Sequence, residues 1–152
     1  MRRTGFTKAQ VETLRTRDGN VCVWTGATTD RLVPQHRRNR GMGGNRDLNT
    51  LENGVLLDSI VNGLIESDAG LGEMAKAYGI KVGRTTVPIS SIPVFYRHEH
   101  GWFTFEGVSR HEISASYAAH LMQGAYGDEW FAWKARADEN VHDTIMTLRG
   151  GK

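Results

Sequence analysis

Residues that staple or punctuate a chain are scarce here: there is one cysteine, Cys22, and there are three prolines in 152 residues. A lone cysteine excludes an internal disulfide and cannot by itself build a cysteine zinc site. The cytoplasm is then the default compartment. No apolar run approaches the ~20 residues that span a bilayer, so no membrane partner is expected. The basic start Met1-Arg2-Arg3-Thr4 has no apolar stretch behind it, and no signal peptide is expected. The net charge is only +2, too small for any global electrostatic argument. Repeats and low-complexity tracts are absent.

The charge that is present is unevenly spread. From Arg31 to Arg46 there are five arginines and His36 with no acid. Within it lies the glycine-rich run Arg40-Gly41-Met42-Gly43-Gly44. A basic, glycine-rich loop suits phosphate, which makes Arg37, Arg38, Arg40 and Arg46 candidate nucleic-acid contacts. A solvated surface loop is the plainer reading of such a run. The stretch 128–143 is mildly acidic, with Asp128, Glu129, Asp138, Glu139 and Asp143 against Lys134 and Arg136.

Local signals outline the elements. Thr7-Lys8-Ala9-Gln10 is a capping box, so a short helix should start at Lys8 and show Val11 and Leu14 as its apolar face. Val21-Cys22-Val23-Trp24 and Arg31-Leu32-Val33-Pro34 read as short strands, and 37–50 as loop. Helices are expected over 59–67, capped by Asp58, and over 69–78, ending at Gly79. Residues 80–108 read as β and turn, with strands at Val94-Phe95-Tyr96 and Trp102-Phe103-Thr104-Phe105.

Ser109-Arg110-His111-Glu112 is a second capping box, followed by Ile113, Tyr117 and Leu121 at helical spacing. A last helix should run from about 128 to 148. Trp130, Trp133, Ala137, Val141, Ile145 and Leu148 form its stripe, which is either core or a partner-binding surface; core is the better prior. His98 and His100 alternate across Glu99 and would share a strand face, though two hairpin histidines are more often solvated. His111, His120 and His142 have no partner at a convincing spacing.

The central pattern is Gln35-His36-Arg37-Arg38-Asn39-Arg40-Gly41-Met42-Gly43-Gly44, then Leu51-Glu52-Asn53, then Asn62-Gly63-Leu64-Ile65-Glu66-Ser67. In this order it resembles the HNH endonuclease family, especially its short actinobacterial-phage versions. The resemblance covers about residues 7–108, and 109–152 has no counterpart. It implies an α+β fold: a ββα-metal core at about 18–70, an N-terminal helix, a small β tail at 80–108, and two C-terminal helices in an extension at 109–152. In the family, the first histidine takes a proton from the water that attacks the phosphate, and one divalent metal stabilises the developing charge. An asparagine pins the histidine loop, and a histidine at the helix start binds the metal.

Carried over by position, His36 matches the general base and Asn53 the loop-pinning residue. Gln35 and Asn62 stand where metal ligands belong, with Glu66 one turn later on the same helix face. Two amides and one carboxylate make a poor Mg²⁺ or Mn²⁺ site. Many relatives also carry a zinc knuckle. Its four positions are Cys22, Thr25, Asp58 and Val61 here, so structural zinc is not expected. Three functions follow from the resemblance. One is a pseudo-nuclease that binds nucleic acid, DNA by preference, without a cofactor. Another is an active endonuclease using Mg or Mn on Gln35, Asn62 and Glu66. The third is a phage effector that grips a host protein through Trp130 and Trp133.

Overall fold

The computed structural model describes residues 5–38, 49–139 and 141–150. The chain is α+β, with six helices and two small antiparallel sheets among those residues. No helix among them is long and apolar enough to cross a membrane. Helix α1 (Lys8–Arg17) begins at the expected capping box: Gln10 N–H donates to Thr7 Oγ1 and Thr7 N–H to Gln10 Oε1. Of its apolar face, Leu14 is buried and Val11 only half so.

Strands β1 (Leu32–His36) and β2 (Gly54–Asp58) pair antiparallel, Leu32 opposite Asp58 and His36 opposite Gly54. Helix α2 (Ser59–Ser67) leaves β2 without a linker. Asp58 is the joint. It ends β2, caps α2 by accepting from Ile60 N–H at 2.8 Å and Val61 N–H at 3.3 Å, and also takes Thr29 Oγ1–H at 2.8 Å and Arg31 Nη2–H at 2.7 Å. Burial alone would raise its pKa, but Thr29, Arg31 and the helix N–H groups outweigh it and hold the carboxyl below its ordinary value. The stabilisation is therefore complete above the unfolded value of about 4 and fades as pH falls through the lower folded value. We expect Asp58→Ala to cost about 1–2 kcal/mol at pH 7 and clearly less at pH 3, measured by urea unfolding.

Helix α3 (Ala69–Ala77) stops at Gly79, whose φ is +75°. A Cβ there would lie 1.8 Å from the Pro93 carbonyl oxygen, so glycine is required both for the turn and for the close approach. Beyond it, β3 (Val94–Tyr96), β4 (Gly101–Glu106) and β5 (Ser109–Ile113) form a three-stranded meander. Helices α4 (Ala115–Tyr126), α5 (Glu129–Glu139) and α6 (Val141–Leu148) follow. One buried cluster runs from Cys22 through both sheets to Ile145.

Four local readings are corrected. Residues 21–24 are not a strand. The chain turns back tightly there, with Gly26 N–H on Cys22 O at 2.7 Å and Cys22 N–H on Ala27 O at 2.9 Å. Val23 instead bridges the two sheets, donating to Leu56 O and accepting from Arg97 N–H. The second capping box is strand β5, because a ladder to β4 supplies its backbone partners. Ser114, accepting from Tyr117 N–H, is the true cap of α4. Its buried face is therefore Ala118 and Met122, leaving Tyr117 half exposed. The stripe at 130–148 belongs to two helices, α5 and α6, and it is core. Trp130 is 3% and Trp133 8% exposed, and Trp130 Nε1–H donates to Ala77 O at 3.0 Å. The partner-binding reading of Trp130 and Trp133 is accordingly withdrawn.

Candidate functional site

His36 ends β1, half-buried, with its ring stacked on Phe6 at 4.5 Å between centroids. Its Nε2 lies 2.6 Å from Asn49 Oδ1. An amide oxygen only accepts, so this Nε2 carries a proton. With Nε2 donating, a neutral ring keeps Nδ1 as its acceptor, so the contact fixes the tautomer. Asn49 is held in turn by Gln10 of α1, whose Nε2–H donates to the Asn49 carbonyl at 2.8 Å.

Asn53 is fully buried at the end of a 3-10 turn, Leu51–Asn53. Its Oδ1 accepts from Arg38 N–H at 2.8 Å, and its Nδ2–H donates to Arg38 O at 3.2 Å. Its own carbonyl accepts from Arg37 N–H at 2.7 Å. Both ends of the side-chain amide thus clamp Arg38, and the main-chain carbonyl holds Arg37.

The helix side is different. Asn62 is 8% exposed, and its Oδ1 is a buried acceptor without a hydrogen-bond partner. Glu66, one turn on, faces Lys81 with Oε2 3.6 Å from Nζ. Lys81 Nζ also donates to the His36 carbonyl at 3.1 Å, so one ammonium lies between the histidine backbone and the helix carboxylate. Burial lowers the Lys81 pKa, and Glu66 offsets only part of this. Gln35 is half-buried opposite Val55 and, one residue from His36 on a strand, points to the other face.

No protein-family model, curated protein or solved structure matches this chain.

These groups do not fit a divalent cation of the Mg²⁺ or Mn²⁺ kind. Such ions need several hard oxygen ligands, carboxylates above all. Here the one carboxylate faces an ammonium and the remaining oxygens are neutral amides. Among the described residues no group of three or more His, Cys, Asp or Glu side chains could hold a metal. The four knuckle positions hold one thiol, one hydroxyl, one carboxylate and one apolar side chain. Cys22, Thr25 and Val61 are buried, and both Asp58 oxygens accept hydrogen bonds.

Of the candidate phosphate contacts, Arg40 and Arg46 lie outside the described residues. Arg38 is half-buried and donates to Val87 O at 3.2 Å. Arg37 is a correction: it is 1% exposed and donates to the carbonyls of Gly79, Glu52 and Ile92. It cannot reach a phosphate in this fold. The sequence reading missed Lys81, Asn49 and Phe6. Lys81 carried one usable signal, a lone cation between the apolar Ile80 and Val82. Nothing local pointed to its partners.

Proposed function

We propose that this chain is an HNH-type pseudo-nuclease, a ββα scaffold that binds nucleic acid and has given up metal-dependent cleavage. The observation that carries this reading is the division between the two halves of the site. Asn53 clamps the His36 turn in the manner the resemblance implies. On the opposite helix, Glu66 is turned to Lys81 and Asn62 offers a single neutral oxygen. A base without a well-held cation lacks the charge stabilisation that phosphodiester cleavage needs. The host-protein reading has lost its support, since Trp130 and Trp133 are core.

Supercoiled plasmid incubated with Mg²⁺ or Mn²⁺ tests the proposal. We expect no nicking by the wild type. We expect improved divalent-metal binding in the Gln35→Asp, Asn62→His double variant, and any nicking it regains should vanish with His36→Ala. Robust wild-type cleavage abolished by His36→Ala would overturn the proposal. Retention of labelled duplex should weaken steeply with salt, as phosphate contacts require.

A further inference from the structure

On a surface that shares no residue with the His36 site, the turn at 97–100 and helix α6 enclose a cleft of about 390 Å³. Its cationic and imidazole lining is Arg97, His98, His100, His142 and Arg149, and no acidic residue among the described ones lines it. Half of the six histidines in the chain meet there. The expected strand pair of His98 and His100 is instead a tight turn, with His100 at φ +54°. For a residue other than glycine such a conformation is strained and persists only where its surroundings hold it.

The cleft is built rather than incidental. Arg97 is fixed from three sides: its N–H donates to Val23 O at 3.1 Å, its Nε–H to Trp24 O at 3.3 Å, and its guanidinium lies over the Tyr78 and Phe95 rings at 4.8 and 4.9 Å. Gly26, at φ +77°, backs onto His98, where a Cβ would come within 3.2 Å of the histidine Cβ. Between His98 and His100 in sequence stands a carboxylate, Glu99. It contacts His98 Nε2 at 3.3 Å but is drawn off by Arg110 at 2.7 Å. The other wall, on α6, carries His142 and, just past its end, Arg149 around an apolar strip. It presents Val141, the nearly buried Ile145, and Met146 at 39% exposure.

Donors and positive charge on both sides of a soft apolar strip suit an anion attached to a flat apolar body. We propose that this cleft binds a nucleotide, with its phosphate on Arg97, Arg149 and the imidazoles and its base against Met146 and Val141. Guanidinium and imidazole N–H groups make charge-assisted bonds to phosphate oxygens, and a polarisable thioether packs well on an aromatic face. The volume falls within the range of small-ligand sites.

The full chain is titrated with AMP, adenosine, inorganic phosphate and a single-stranded pentanucleotide, with histidine ring signals followed by NMR. AMP should bind at least ten-fold more tightly than adenosine or inorganic phosphate. The rings of His98, His100 and His142 should move while those of His111 and His120 do not. A pentanucleotide binding more tightly than AMP would assign the site to one nucleotide of a strand, and the reverse order to a free mononucleotide. His142→Ala with Arg149→Ala, both exposed positions, should weaken AMP at least ten-fold at an unchanged melting temperature. Equal affinity for AMP and inorganic phosphate, unaltered binding by the double variant, or shifts spread over all the histidines would overturn the proposal.

Discussion

Asp18→Ala is expected to lower the unfolding free energy by about 3–5 kcal/mol, the range for removing one partner of a buried ion pair. Asp18 is fully buried at the end of α1 and joins three elements. Arg17 grips it bidentately, Nε–H to Oδ1 at 2.7 Å and Nη2–H to Oδ2 at 3.1 Å. Leu56 N–H of β2 donates to Oδ2 at 3.0 Å, and the Tyr96 hydroxyl of β3 donates to Oδ1. Burial alone would lower the Arg17 pKa, yet the Asp18 carboxylate reverses this and raises it. Burial, and then Asp18, push the Tyr96 hydroxyl well up.

Removing the carboxylate leaves the Arg17 guanidinium, 3.7 Å over the Phe105 ring and still bonded to the Leu51 and Gly54 carbonyls, without its counter-charge, and takes the acceptor from an N–H and a hydroxyl. The melting temperature should fall by roughly 6–20 °C. Asp18→Asn keeps oxygen acceptance and should cost less. Asp30→Ala removes a carboxylate with a 93% exposed side chain and should leave the melting curve unchanged. If Asp18→Ala and Asp30→Ala unfold alike, the buried network contributes nothing.

Arg37→Ala should be nearly as damaging, on the order of 4 kcal/mol, since hydrogen bonds to a charged group contribute more than neutral ones but do not add fully. The guanidinium reaches Gly79 O at 2.9 Å, Glu52 O at 2.9 Å and Ile92 O at 2.7 Å. It thereby ties the turn after α3, the 3-10 turn before β2 and the approach to β3. Its main chain is used as well, accepting from Val82 N–H at 2.9 Å. Burial first, then repulsion from Arg17, pull its pKa down to about 9, so it remains charged at neutral pH. Truncation leaves three carbonyls without this donor and a cavity where the side chain stood.

A phosphate contact would behave in the opposite way. Losing it would leave the melting curve unchanged and flatten the salt dependence of DNA binding. Thermal unfolding of Arg37→Ala beside Arg38→Ala separates the two roles, with the larger loss expected at Arg37. An unchanged melting temperature for Arg37→Ala would restore it to the surface set.

Chain-local features were legible before any fold was known. The capping box at Thr7, the cap at Asp58 and the span of α2 depend on residues within about one turn of each other, where the partner of each donor is set by spacing. The core role of Trp130 and Trp133 was legible for a similar reason, because periodicity fixes which residues share a face. The clamp by Asn53 was anticipated through the resemblance alone. Nothing in its spacing to Arg38 demands it.

What the tertiary structure decided lies at long range. Ser109 to Glu112 satisfies a helix cap locally, but strand β4 offers backbone partners that a local pattern does not register. The Asp18–Tyr96 contact spans 78 residues, the Arg37–Ile92 contact 55 and the Lys81–His36 contact 45. Arginines read as surface charge, or a lysine read as a strand residue, acquire their roles only when distant carbonyls and carboxylates arrive beside them. A buried polar group needs a partner wherever the chain can bring one, and sequence distance does not restrict that choice.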